Sequence, residues 1–179
     1  KIVINEAGEP TDVALLERRV SNRMIEEFML VANKTVAEHC FWEKTPLAYR
    51  VHEKPDVLKM MELKNFLSNL GFALNGKSDS IKTKELSNIL CMLDGKPEEA
   101  LVSRVMIRTM QKAYYSTECL GHYGLAFKYY CHFTSPIRRY PDLQIHRIIK
   151  ENLDGRFNDK RRTHYEAILE SVANQSSVQ

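Results

Sequence analysis

The chain has 179 residues, 44% of them hydrophobic and 27% charged, which fits one soluble domain with a sizeable core. A net charge of +3 is too mild to require a polyanionic partner, yet its distribution is uneven: Arg138 to Arg162 holds eight basic residues against four acids. No apolar run approaches the length of a membrane span and the N-terminus lacks a signal-peptide pattern, so the expected setting is cytoplasmic.

The four cysteines, Cys40, Cys91, Cys119 and Cys131, lie far apart, with no close pair of the kind that zinc sites use. They read as buried free thiols of a reducing compartment. No internal repeat is visible.

Taken in order, Lys1 to Leu16 reads as a hairpin with its turn over Asn5 to Pro10. Its position at the first residue suggests a chain that begins inside a domain. Glu17 to His39 is a strongly amphipathic helix, with Val20, Met24, Phe28, Val31 and Thr35 in one row and Ile25, Met29, Ala32 and Val36 in the next. So wide an apolar face predicts deep burial. Glu26 and Glu27 interrupt it; neighbours on a helix point about 100° apart, so they do not chelate one ion symmetrically. Solvated or salt-bridged glutamates fit that pair, as does one glutamate facing a cleft.

Leu47 to Val51 is a short strand, followed by His52-Glu53. Tyr49, Arg50 and His52 at a strand end offer stacking and ionic contacts to a nucleic acid, and a structural role fits them equally. Pro55 opens a second helix striped by Met60, Leu63, Leu67 and Leu70 and stopped by Gly71. Asn75 to Ser80 is a polar loop. Thr83 to Leu93 forms a third helix closed by Asp94-Gly95, and Pro97 starts a fourth that buries Leu101, Val102, Val105, Met106 and Met110. Ala113 to Ser116 is a short strand.

From Tyr123 to Phe133 the odd positions are all apolar or aromatic, a period of two that predicts a strand. Thr134-Ser135-Pro136 then reads as a capped helix start, and Pro141 ends or kinks that first turn before a longer helix through Asn152. Free backbone N–H groups beside the guanidinium groups of Arg138 and Arg139 suit a phosphate oxygen. A well-capped surface turn with solvated arginines fits the same residues. Asp154-Gly155 ends that helix, and Asp159 to Val178 is helical again without a C-cap, which suggests a chain that also ends inside a domain. The basic residues after Arg147 read as a solvated helical face.

No metal-ligand cluster and no glycine-rich phosphate loop is legible, and His146, on a helix beside Leu143 and Ile149, reads as a satisfied core histidine. The residues alone therefore offer a phosphate-binding electrophile without a nucleophile generator.

The run His132-Phe-Thr-Ser-Pro-Ile-Arg-Arg-Tyr-Pro-Asp-Leu143, with Gly121-His-Tyr-Gly-Leu-Ala126 before it and His146-Arg147 after it, closely resembles the catalytic-domain signature of the ribonuclease II/ribonuclease R family. Met24-Ile-Glu-Glu-Phe-Met-Leu-Val-Ala-Asn33 and Tyr49-Arg-Val-His-Glu-Lys-Pro55 resemble that family in the same order, and Arg-Arg-Tyr-Pro-Asp is nearer its ribonuclease R branch.

The resemblance implies an α+β fold, helix-rich and packed on part of a mainly antiparallel sheet. Residues 1–179 would then be the C-terminal portion of a single RNB catalytic domain, truncated at both ends. It also implies a processive 3′→5′ exoribonuclease that hydrolyses single-stranded RNA to nucleoside 5′-monophosphates with Mg²⁺. The family's metal-binding aspartates lie N-terminal of the matched segment, so this chain supplies no metal ligand and is expected to be inactive alone. Arg138 matches the family's catalytic arginine, and Glu26 a glutamate that helps position bases. Ser135, Arg139, Tyr140, Tyr49, Arg50, His52 and His146 are the further RNA-binding candidates. Two other readings stand beside this one: a non-catalytic RNA-binding module that keeps the phosphate site, and a helical interaction domain without nucleic acid.

Overall fold

The computed structural model describes residues 2–13, 19–74, 76–78 and 81–178. They fall into two compact units, Lys1–Ala32 and Asn33–Gln179. In the first, β1 (Ile2–Ile4) pairs antiparallel with β2 (Pro10–Val13), Ile2 opposite Val13, so the expected hairpin forms, and its residues beyond Val13 up to Leu16 lie outside the described set. Helix α1 (Val20–Trp42) starts in this unit.

The expected deep burial of its apolar face does not hold: Met24, Ile25, Phe28 and Val31 all stay more than half exposed. A helical period registers an apolar stripe, not what covers it. Burial on α1 sets in only at Asn33, Ala37 and Cys40.

The second unit has three apolar clusters. The first is a helical layer of α2 (Val57–Asn69), α3 (Thr83–Leu93) and α4 (Glu99–Thr109), with Met60, Leu63, Leu67, Leu93 and Val102 almost wholly buried. Each such side chain contributes about 1.5–3 kcal/mol of transfer free energy. Asp56 caps α2 by accepting from the N–H groups of Leu58 (2.9 Å) and Lys59 (3.2 Å), so the helix opens after Pro55, not at it. Gly71 ends it at φ +83°. α3 keeps its expected bounds, and α4 starts two residues beyond Pro97.

The second cluster gathers Ala37, Cys40, Leu47, Tyr49, Val51, Tyr129, Cys131 and Ile145 around a two-stranded antiparallel sheet of β3 (Tyr49–Val51) and β4 (Tyr114–Ser116). The third packs Ala48 and Ile148 against Tyr165 and Leu169, joining α5 (Tyr140–Leu153) to α6 (Asp159–Val178). Ser177, near the end of α6, accepts at Oγ from the Tyr115 N–H at 2.8 Å and so ties α6 to β4.

The segment Tyr123–Phe133 is not a strand. Tyr123–Leu125 is a turn of 3₁₀ helix, Ala126 is left-handed at φ +55°, and the later residues touch the sheet through one bridge, Tyr49 to Cys131. Gly121 turns the chain at φ +82°, and Gly124 sits so close to His52 that a Cβ would lie 2.7 Å from its Nδ1. The period of two arises because Tyr129 and Cys131 face the second cluster while Tyr130 and His132 meet a separate group of rings. The structure is thus α+β, mostly helical with short antiparallel sheets. No helix among the described residues is long and apolar enough to cross a membrane.

Candidate nucleic-acid interface

After Cys131 the backbone leaves the sheet, and its N–H groups need acceptors from side chains. Asn33, 4% exposed on α1, supplies the first: its Oδ1 accepts from the N–H groups of Phe133 (2.9 Å) and Thr134 (3.2 Å), and its Nδ2 donates to Tyr130 Oη at 3.2 Å. Asp142, 0% exposed in the first turn of α5, supplies the second: its Oδ2 accepts from the Ser135 N–H at 2.9 Å. The Ser135 carbonyl in turn accepts from the N–H groups of Arg138 (3.2 Å) and Arg139 (3.1 Å) and closes the turn.

The expected helix start at Thr134–Pro136 is therefore a single turn. α5 begins at Tyr140, after Arg139 in extended conformation, so the break and the restart expected at Pro141 are both there, with the proline in the first turn of the new helix. One consequence corrects the anion cradle read from the sequence. The N–H groups of Ser135, Arg138 and Arg139 are already bonded within the protein, so the cationic side chains carry the site's charge.

Those side chains divide sharply. Arg139 donates from Nε (3.0 Å) and Nη2 (2.8 Å) to Asp142 Oδ2, a buried ion pair. Arg138 is exposed and has no side-chain hydrogen bond or ion pair among the described residues. Ile137, at the apex, is 99% exposed, and Tyr140 is also exposed.

Behind the turn runs a ladder of rings: His52 to His122 (centroids 5.0 Å), His122 to Tyr130 (5.2 Å), Tyr130 to His132 (5.8 Å) and His132 to Tyr115 (5.7 Å). Tyr115 Oη lies 2.8 Å from His132 Nδ1, and the Arg50 guanidinium sits over the Tyr115 ring at 4.7 Å. Burial, then the charges of Arg139 and Arg50, push the His132 pKa down to about 3. Burial, then His52 and Arg50, push His122 down to about 4. Both rings are neutral at physiological pH and add no positive charge of their own.

The remaining candidates are mostly engaged within the protein. Tyr49 is a core residue, 6% exposed, and its phenol is pushed up first by burial. His52 spends both ring nitrogens on the protein: Nδ1 accepts from the Gly124 N–H, so Nε2 carries the proton to the Gln111 carbonyl, each at 2.9 Å. His146 stacks flat on Phe133 (4.0 Å, 8°) and donates from Nε2 to the Phe133 carbonyl. Glu26 lies half-buried on α1 within the first unit. Ser135 keeps its hydroxyl at the turn. Asn33, Asp142, Tyr115 and His132 were not singled out by sequence reasoning: the partners of Asn33 lie up to 101 residues away, and the burial of Asp142 is not written in its spacing.

Three of the six basic residues that follow are occupied. Arg161 donates to both carboxylate oxygens of Glu151 (2.8 and 2.7 Å), Arg156 pairs with Asp154 (2.6 Å), and Arg162 bonds the Lys44 carbonyl and covers Phe157. The expected solvated face holds for Arg147, Lys150 and Lys160, which are exposed, while Arg156, Arg161 and Arg162 are paired within the protein. A cavity of about 370 Å³, lined by Cys40, Lys44, Tyr49, Cys119, Glu166 and Glu170 among others, shares no lining residue with the arginine turn.

Among the described residues no three His, Cys, Asp or Glu side chains come together as a metal site. The described residues do not by themselves fit magnesium.

A profile of the RNB domain matches residues 1–155. Ribonuclease R of Aquifex aeolicus is 42% identical over 179 residues, covering 100% of this chain and 25% of that protein. Ribonuclease R 1 of Lactococcus lactis is 40% identical over 177 residues, covering 99% of this chain and 22% of the relative. Among solved structures, Mycoplasma genitalium RNase R in complex with ribose-methylated single-stranded RNA superposes with a TM-score of 0.89 at 32% identity, over 99% of this chain and 28% of that one. The same protein in complex with double-stranded RNA gives 0.90, over 99% of this chain and 32% of that one. The chain thus spans about a quarter of the length of these relatives.

Proposed function

Because this chain belongs to the RNB domain family, we propose that it is part of a 3′→5′ exoribonuclease that hydrolyses single-stranded RNA processively to nucleoside 5′-monophosphates, with Arg138 as the catalytic residue it contributes. The observation that carries this reading is the division of labour in the arginine pair: Arg139 is spent on Asp142, while Arg138 stands exposed beside it.

Arg138 grips the scissile phosphate and offsets charge that grows on its oxygens in the transition state. A guanidinium suits this because it holds its charge at every working pH and presents a planar fork of donors to two oxygens at once. In this reading Arg50, whose guanidinium lies over the Tyr115 ring, and the Ser135 hydroxyl contact the same or the neighbouring phosphate. Tyr140 offers a face for a base. Magnesium belongs to the same proposal, with its ligands outside these residues, so the isolated chain is expected to be inactive. A reducing, cytoplasmic setting is supported by the four free thiols.

Arg138→Ala in the full-length enzyme tests the reading. The expected outcome is a fall in kcat of roughly a hundredfold to a thousandfold on labelled single-stranded RNA, with the salt slope of RNA binding reduced by about one unit. The competing reading, an RNA-binding module without chemistry, draws on the lack of a metal cluster among the described residues. It predicts RNA binding with the same salt dependence and no release of mononucleotides by the unmodified protein.

A further inference from the structure

The turn that carries Arg138 is held at both ends by buried side chains, and one of these is more costly than a structural role requires. Asp142 is fully buried, yet its Oδ2 takes three donors, the Ser135 N–H and two from Arg139, while its Oδ1 has no partner among the described residues. A buried carboxylate with one unpaired oxygen is destabilising compared with a well-packed apolar side chain. Just before Ser135, Asn33 spends one oxygen on two successive N–H groups and fixes its amide against Tyr130. Within the turn the Arg138 N–H is bonded to the Ser135 carbonyl, and the ring of Pro136 restricts its own backbone.

We infer that Asn33 and Asp142 are positioning residues that act through Arg138: together they lock the backbone that leads into it, at Phe133, Thr134 and Ser135, and withdraw the Arg139 side chain after it into an ion pair, so that a single guanidinium meets the phosphate along a fixed line. The inference rests on the exoribonuclease reading above. An exposed arginine on a loose turn would order itself only as the transition state forms; a clamped turn has already lost that backbone freedom. The pairing with Asp142 also settles which of two adjacent arginines is offered.

The experiment is a double-mutant cycle in the full-length enzyme. Asp142→Asn keeps the volume and weakens the hold on Arg139. It should lower kcat about ten- to a hundredfold with KM changed less than about threefold, the signature of an interaction realised in the transition state. In an Arg138→Ala background the same substitution should change kcat by less than about twofold, since residues acting as one unit are strongly non-additive. Asn33→Leu should behave like Asp142→Asn, and Asn33→Asp, which retains an acceptor for the Phe133 and Thr134 N–H groups, should recover most of the lost kcat. Should Asp142→Asn not fold, Arg139→Gln opens the same clamp from its more exposed partner and enters the cycle in its place.

An equal fall in kcat with and without Arg138, or a change confined to KM, overturns the inference while leaving the exoribonuclease reading intact. No turnover by the unmodified enzyme, or turnover indifferent to Arg138→Ala, overturns that reading and the inference with it.

Discussion

The helical layer α2–α4 and the segment from Cys119 to Arg139 reach order by opposite routes. In the layer, backbone groups bond within each helix, and leucines at helical spacing meet in a common core. In the segment almost nothing is regular. The N–H groups of Gly124, Leu125, Phe133, Thr134 and Ser135 end on His52, His122, Asn33 and Asp142, four side chains that help convert a loop into a rigid support. The difference teaches where precision is stored: a helix face tolerates small shifts because many contacts share the load, whereas a loop held by single polar atoms fails atom by atom.

Two substitutions sharpen that contrast. Leu67→Ala, at a wholly buried site, should cost about 2–5 kcal/mol of unfolding free energy, spread through a layer that relaxes around the cavity. Gly124→Ala adds one carbon where a Cβ would lie 2.7 Å from His52 Nδ1, so the ring must leave the bond it accepts from the Gly124 N–H. Its expected cost is smaller, about 1–3 kcal/mol, but its effect is local and specific. Urea unfolding gives the size, and the imidazole nitrogen resonances of His52 report the lost bond. A Gly124→Ala protein with unaltered His52 resonances would break the comparison.

A pH titration probes the same support more gently. The ordinary imidazole value is 6.5, and burial holds folded His122 near 4 and His132 near 3. As pH falls through 6.5 the unfolded chain takes up protons that the folded one refuses, so stability declines, and it levels once the folded rings also titrate. The loss should therefore fall between about pH 6.5 and 3. His122→Gln should flatten the upper part of that decline in unfolding curves measured across the range. An unchanged slope would show that His122 is already charged in the fold.

How much of this was legible beforehand follows the same division. The bounds of α3 and of the helix Asp159–Val178 follow from periodicity and local capping, because their bonding partners lie within a few residues, whereas the strand at Tyr114–Ser116 showed only through its residue types, its partner being the distant Tyr49–Val51. Tyr123–Phe133 misled because alternating burial is a fact about two surroundings, and a ladder of backbone bonds is only one way to produce it. The arginine turn was visible as a cluster of residue types. That Arg139 is spent and Arg138 is not depends on Asp142 being buried, which spacing does not report. Asn33 is the furthest case: it closes a recognisable run on α1, yet its use lies with N–H groups about a hundred residues on.

The smallest expected effect concerns the basic residues beyond the turn, and it separates counted charge from available charge. Arg161 and Glu151 make a two-bond fork that Tyr165 completes, donating to Glu151 Oε1 at 2.8 Å. The fork, with Glu151 the first cause, raises the Arg161 pKa, and Arg161, again first, lowers that of Glu151. A guanidinium matched to a carboxylate in this way neutralises no phosphate, so it displaces none of the cations condensed on the RNA. Arg161→Ala should therefore leave RNA affinity and its salt slope unchanged, measured between low and moderate salt in parallel with Arg138→Ala. The two variants remove the same formal charge from the same basic stretch, so a long-range field acting on RNA would weaken both equally. Only a site built from unpaired charge makes one matter and the other not.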